Sequence, residues 1–361
     1  MTTQRPHADV PEMKLPAPRT PDPASAPELR WGLLGAGWIA SQMAYSLRDT
    51  SQRVVAVGSR DTERARAFVD EHAPGARPHG EYASLVADPD VDVVYVASPH
   101  SEHLEHALLA IAAGKHVLVE KPMAPTADEA RRIAAAAREA GVFCMEAMWT
   151  RFLPHIDVLR QVLDTGLLGE VSTVLADHSI PLWPDGPERL ADPALAGGAM
   201  LDLGIYPLAF ASLTLGGLTS ATGLGTLTDR GVDRRFAFAV QGPTGTVASL
   251  ATDMSVSSPT TASVNGTWAR LELETMFYMP TTMHLVGKDG VVLDTMTGDP
   301  IERHRGLRHE ATEVALRITA GDTESDVVPL DETVHILEVM DGLLDSLRRE
   351  GGTRTGPSAA H

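Results

Sequence analysis

The chain has 361 residues, 43% hydrophobic and 22% charged, which excludes a disordered or membrane-embedded polypeptide and leaves room for two or three domains. Acidic residues outnumber basic ones by 48 to 30, and the formal net charge of -18 disfavours nucleic acid and anionic lipid as partners. The one cysteine, Cys144, cannot form an internal disulfide, no Cys/His array has zinc spacing, and no run approaches the ~20 apolar residues that span a bilayer, so a cytoplasmic chain without metal is expected.

Residues 1–29 carry seven prolines among small and polar residues, too little apolar surface to offset chain entropy, and predict a flexible tail. From residue 30, short β-branched runs alternate with helical patterns, the signature of βαβ units and a parallel sheet. Strands are predicted at 30–34, 53–58, 91–97, 116–120 and 142–145, with helices between them at 38–48, 61–72, 101–113 and 126–140. The last helix has a capping box from Thr126 to Glu129 and a stop at Gly141. Residues 30–150 therefore read as a doubly wound α/β domain of Rossmann type. Period-2 alternation broken by turn signals then takes over at 170–180 and 220–292 and predicts a large, open, mostly antiparallel sheet. With helical stretches at 200–215, 307–320 and 331–349 this makes 151–349 an α+β domain, and 350–361 a second flexible tail.

The first strand runs into Gly35-Ala36-Gly37-Trp38-Ile39-Ala40, a G-x-G-x-x-A loop opening a helix. Gly35 permits the tight turn, Gly37 lets backbone approach a pyrophosphate, Ala40 is small enough for helix to pack on strand, and the helix start offers free amides to the anion. The second strand ends on Gly58-Ser59-Arg60, with Arg64 four residues on, where an NAD enzyme would place an acid. Two guanidiniums beside the Ser59 hydroxyl suit a 2′-phosphate, so NADP is favoured over NAD. The alternative is that Arg64 only solvates a helix face and Asp61 recruits NAD.

Segments 98–122, 146–154 and 197–207 form one site if the second domain packs on the carboxyl ends of the parallel strands. The first holds Ser98, His100, His103, Glu120 and Lys121. His100, His103 and His106 lie at i, i+3 and i+6, off a common helix face, which argues against a metal site. Trp149 and Arg151 in the second segment suit a sugar ring or an arene diol and its hydroxyls, with interdomain packing as the alternative. Trp183 is a further substrate candidate, as are Trp268, Phe277 and Tyr278 of the sheet. In the third segment Asp202 and Tyr206, at i and i+4, bring a carboxylate and a phenol to one helix face; a helix-terminal Asp and a packing Tyr is the alternative.

On these motifs the sequence resembles the Gfo/Idh/MocA family of NAD(P)-dependent oxidoreductases, in which the glycine-rich loop precedes Glu120-Lys121-Pro122 and then the helix carrying Asp202 and Tyr206. Trp149-Thr150-Arg151 and the stretch at 197–206 are similar to its subgroup of dimeric dihydrodiol dehydrogenases and NADP-dependent D-xylose 1-dehydrogenases. The resemblance spans about 30–345 and its specific motifs lie within 30–210. His100 departs from it, since much of the wider family carries Asn there.

The resemblance implies hydride transfer between the nicotinamide and a hydroxyl or carbonyl carbon of a cyclic polyol, such as C1 of D-xylose, or of a trans-dihydrodiol. It gives the proton to Tyr206, a substrate hydroxyl to Asp202, and loop support beneath the nicotinamide to His103. It also implies a homodimer formed through the second sheet. A phenol with pKa ~10 must fall by ~3 units, or about 4 kcal/mol, to titrate near neutrality. An ammonium ~4 Å away at an effective dielectric of ~20 supplies about that much, so Lys121 is expected to lower Tyr206. A keto-sugar or cyclitol reductase uses the same residues in reverse. A non-catalytic dinucleotide-binding regulator is the alternative of another class, and intact Lys121 and Tyr206 argue against it.

Overall fold

The computed structural model describes residues 13–298, 303–349 and 354–355. Its first half is a sheet of six parallel strands, β1 (Arg30–Leu34), β2 (Arg53–Gly58), β3 (Arg77–His79), β4 (Val93–Val96), β5 (His116–Glu120) and β6 (Cys144–Ala147), in the order β3-β2-β1-β4-β5-β6. Helices α1 (Trp38–Ser46), α2 (Thr62–His72), α3 (Tyr82–Val86), α4 (His103–Ala112) and α5 (Ala127–Ala140) cover it. Strand order reverses between β1 and β4, and that switch point opens a crevice at the carboxyl ends of the strands. All four residues of β4 are buried, as a strand covered on both faces requires. β3 and α3 escape the sequence reading because Arg77-Pro78-His79 has no β-branched run and five residues are too few to show a helical period. β6 begins two residues later than read.

After α6 (Pro154–Asp164) the chain builds a nine-stranded sheet from β7 (Val171–Ser179), β8 (Ser220–Thr228), β9 (Asp233–Gln241), β10 (Val247–Asp253), β11 (Ala262–Gly266), β12 (Ala269–Leu273), β13 (Met283–Gly287) and β14 (Val292–Met296), with β15 (Arg354–Thr355) at one edge. β7 lies in the middle, antiparallel to β11 and parallel to β10. Alternation decides the faces of the sheet, as in β9, where Phe236, Phe238 and Val240 are buried while Ala237 and Ala239 are exposed. Helix α7 (Ile205–Leu215) lies on the inner face, with α8 (Leu307–Ala320) and α9 (Leu330–Arg349) completing the packing against the first domain. One continuous apolar core runs through both halves.

Two expected tails are partly structured. Residues 1–12 lie outside the described residues, but 13–29 run as a strap across both domains. Arg19 forks onto Asp157 of α6, the Leu15 amide donates to Asp294 of β14 at 2.9 Å, and Gln52 donates to the Pro27 carbonyl at 2.7 Å. Residues 23–26 make a turn, with the Ser25 amide on the Asp22 carbonyl, and side chains of the folded body meet several other backbone groups of the segment. At the other end, residues 354–355 add to β8 as a parallel strand, while 350–353 and 356–361 lie outside the described residues. The stretch Pro193–Leu215 is long and apolar enough to cross a membrane, contrary to the sequence reading, but 78% of its most apolar window is buried inside the fold.

Candidate active site

The glycine-rich loop sits at the switch point. Gly35 has φ +116°, and a β-carbon there would come within 2.7 Å of the Ala97 carbonyl, so only glycine fits the turn between β1 and the end of β4. Gly37 caps α1, and a β-carbon at that position would meet nothing within 4 Å, leaving an open cradle for a bulky anion. Trp38 opens α1 with its ring 64% exposed.

The guanidinium of Arg64 donates from Nε and Nη2 to the Ala36 carbonyl at 3.3 and 3.2 Å, so the charge stands over this cradle. Arg60 precedes α2 instead of sharing its face, and pairs with Glu102 at 3.2 Å. Ser59 is buried and its amide donates to the His79 carbonyl. Asp61 caps α2 by accepting from the Glu63 and Arg64 amides.

Behind the cradle, His103 is wholly buried and its ring spans the carbonyls of Ser98 and Pro122, each at 2.9 Å, which ties the end of β4 to the turn after Lys121. Burial holds this ring down to a pKa of about 4. The Ser98 hydroxyl pairs with His106 Nδ1 at 2.9 Å. Glu120 accepts from the Tyr95 hydroxyl and from the Lys121 amide, and burial pushes its carboxyl up.

The second domain delivers Asp202 and Tyr206. Asp202 lies in a widened helical turn, Met200–Gly204, that leads into α7, which carries Tyr206. Lys121 Nζ donates to the Asp202 carbonyl at 2.8 Å, lies 3.7 Å from its carboxylate and stands 4.9 Å from the centre of the Tyr206 ring. Arg189 reaches the same carboxylate at 3.2 Å, and His100 faces it at 3.9 Å. Burial alone would raise Asp202, but Lys121, Arg189 and His100 outweigh it and hold the carboxyl well below its usual range.

Tyr206 behaves differently from the expectation. Burial pushes its phenol well above the usual tyrosine value; a hydrogen bond from Trp149 Nε1 at 3.2 Å opposes this, and the carboxylates of Glu120, Asp202 and Glu310 add to the rise. The Lys121 ammonium donates to the Asp202 carbonyl and lies over the Tyr206 ring, and it is not among the groups that lower this phenol.

The structure therefore brings Lys121, Asp202, Tyr206, His100 and Trp149 together. It does not bring Arg151. That guanidinium turns inward to the Ala209 carbonyl at 3.0 Å and to Glu332 of α9 at 2.6 Å, because the 3-10 turn 149–152 presents only Trp149 to the cleft. Trp183 packs in a separate small apolar cluster with Ala199, Leu203 and Met254. Of the sheet candidates, Tyr278 joins the site, its ring tilted 4.4 Å from that of Tyr206, whereas Phe277 is core and Trp268 is 44% exposed against Gly169.

Three residues at the site went unread. His178 of β7 tilts against Tyr278 at 4.4 Å, Arg189 lies on a 3-10 turn, and His304 stacks on Trp149 at 5.7 Å while meeting Trp38 edge-on at 4.9 Å. His178 alone had a signal, since Val174, Ala176 and His178 share the inward parity of β7.

Residues 29–148 match the Gfo/Idh/MocA oxidoreductase family with its NAD-binding Rossmann fold, and residues 156–272 match that family's C-terminal domain. The chain is 36% identical to trans-1,2-dihydrobenzene-1,2-diol dehydrogenase of Bos taurus, covering 92% of this chain and 99% of the bovine protein. It is 34% identical to the enzyme of that name from Homo sapiens, over 90% and 97% of the two chains. Among solved structures, the 3-ketoreductase KijD10 of Actinomadura kijaniata, in complex with NADP and TDP-benzene, superposes with a TM-score of 0.77 at 26% identity, over 91% of this chain and 99% of KijD10. The NAD-binding oxidoreductase of Klebsiella pneumoniae shares the fold, with a TM-score of 0.79 at 22% identity over 90% and 97%. A glycine cradle at the switch point, a lysine at the end of β5 and a tyrosine brought over it by α7 are thus found in a chain that belongs to the Gfo/Idh/MocA family of oxidoreductases.

Proposed function

We propose that this chain is an NADP-dependent oxidoreductase that moves a hydride between the nicotinamide and a hydroxyl or carbonyl carbon of a cyclic polyol, such as C1 of D-xylose, or of a trans-dihydrodiol. The convergence of Lys121, Asp202 and Tyr206 at the carboxyl ends of the parallel strands carries the reading. Bound NADP supplies the hydride acceptor, and its reduced form the donor. Tyr206 exchanges the proton with the substrate oxygen, Lys121 holds that oxygen and Asp202, and Asp202 takes the neighbouring hydroxyl. Arg64 over the Ala36 carbonyl supports NADP over NAD, as does the commitment of Asp61 to capping α2.

A reductase of keto-sugars or cyclitols is the second reading. The likeness to a 3-ketoreductase, at 26% identity over 91% of this chain, favours it. A purely regulatory dinucleotide binder leaves the assembled triad without a task.

Turnover with sugars, cyclitols and dihydrodiols, assayed in both directions, tests the reading. Tyr206→Phe and Lys121→Met are each expected to cut it by about 10² or more; near-normal turnover in both overturns it. We also propose a homodimer through the outer face of the large sheet, where Thr222, Ala239, Ser249 and Leu175 make a row of exposed small or apolar residues across four strands. Light scattering at micromolar concentration decides this, a monomer counting against it. The buried free thiol of Cys144 suits a reducing cytoplasm.

A further inference from the structure

His178 is 1% exposed and sits on the inner face of β7. Its Nδ1 lies 3.2 Å from the Leu203 carbonyl. A carbonyl only accepts, so Nδ1 carries the proton and Nε2 presents a bare lone pair. That lone pair is buried and has no hydrogen-bond partner. The ring tilts against Tyr278 at 4.4 Å and meets Tyr206 edge-on at 5.3 Å, with Lys121 and Asp202 as its charged neighbours. Burial holds its pKa down to about 4, so the second nitrogen stays an acceptor at neutral pH.

An unmet buried acceptor is a standing cost to the fold that only a donor relieves. None of the site's own donors reaches it: Lys121 and Arg189 turn to Asp202, and the Trp149 indole donates to Tyr206. His100, 7% exposed, repeats the pattern, with Nε2 toward Asp202 and Nδ1 unpartnered. Two buried ring nitrogens at the site, His178 Nε2 and His100 Nδ1, are thus without a hydrogen-bond partner.

We propose that His178 sets substrate selectivity by accepting, at Nε2, a hydrogen bond from a third ring hydroxyl, beyond the one at the reacting carbon and its neighbour. The proposal rests on the reading above, in which Tyr206 takes the reacting oxygen and Asp202 the next one. A ring with only two hydroxyls leaves the Nε2 lone pair unmet, and a site built to bond a hydroxyl discriminates against analogues that lack it.

The test uses the full chain saturated with NADP and measures equilibrium binding by titration calorimetry. The probes are D-xylose, D-glucose and myo-inositol against trans-1,2-cyclohexanediol and trans-1,2-dihydrobenzene-1,2-diol. The best polyol is expected to bind the wild type at least about tenfold tighter than either diol. His178→Phe keeps a ring against Tyr206 and Tyr278 without the acceptor, and should reduce that ratio by about tenfold or more. His178→Gln, whose amide oxygen restores an acceptor, should recover part of it. NADP affinity and the near-ultraviolet dichroism of each variant establish that it is folded. Equal binding of diols and polyols by the wild type, no polyol binding at all, or an unchanged ratio in His178→Phe overturns the proposal. If Tyr206→Phe keeps its turnover while the ratio still shifts, the catalytic reading fails and the role of His178 stands.

Discussion

At Tyr206 one neighbour, Trp149, pulls against burial, and the balance sets how readily the phenol gives up its proton. The Trp149 indole donates to the phenolic oxygen, while the Lys121 ammonium is held by Asp202. Trp149→Phe keeps the aromatic surface and removes the donor. It is expected to move the alkaline limb of the oxidative pH–rate profile upward and to lower oxidative turnover at neutral pH by about tenfold, with a smaller effect on reduction. A pH profile in each direction measures this, and an unmoved limb means that the bond has no part in proton transfer. At the cradle, Arg64→Ala should raise KM for NADP by about tenfold and leave KM for NAD nearly as it was. Arg60→Ala should do less, because Arg60 is exposed and already paired with Glu102. The convergence of Lys121, Asp202 and Tyr206 was legible because short motifs at fixed spacing place them at one cleft. The inward turn of Arg151 was not legible because its partner Glu332 is 181 residues away, beyond any local pattern. Arg189 and His304 sit on short turns without periodicity, so only the fold shows where they point.

Among the elements, the strap 13–29 shows what composition alone misses. Five prolines and few apolar residues say that this segment forms no core of its own, but not that a folded surface will hold it. Asp157 explains the docking. Its side chain is 6% exposed on α6, and it accepts from the backbone and guanidinium of Arg19 as well as from Gln161. Arg19→Ala leaves that carboxylate with weaker compensation, since Arg160 lies only at 3.5 Å. The expected result is a melting temperature lower by a few degrees, with most of the loss recovered in the double variant Arg19→Ala/Asp157→Asn, where no buried charge remains. If the single substitution leaves the melting temperature unchanged, the strap contributes nothing to stability. The strands of both sheets were largely readable because alternation and β-branched runs are local signals. The pairing of β7 with β10, 68 residues or more from its neighbours in sequence, is a tertiary outcome that no window of residues contains.

Across the whole molecule, three buried carboxyls stand between the domains. Glu120 ends β5, Glu146 lies in β6 just before its last residue, Ala147, and Glu310 faces them from α8 with 0% exposure and neither oxygen partnered. Burial pushes all three up, Glu146 to about 7 and Glu310 well above the usual carboxyl value, with Glu120 and Glu146 adding to the rise at Glu310. A carboxyl raised on folding binds its proton more tightly in the native state. Its contribution is complete below the unfolded value of 4.5 and is lost as pH climbs through the folded value. For Glu146 the window is pH 4.5 to about 7, and the loss across it is on the order of 3 kcal/mol. Glu310 extends the loss to higher pH. Cofactor-free protein should therefore melt progressively lower from pH 5 to pH 8, in the same direction as self-repulsion from a net charge of -18. Glu310→Gln separates the two causes, because it removes the buried ionisable group and leaves the pH-dependent charge of the surface. It is expected to raise the melting temperature at pH 8, to change it little at pH 5, and so to flatten the slope between them. A slope as steep as that of the wild type would assign the pH dependence to surface charge and leave the interdomain carboxyls without a part in it.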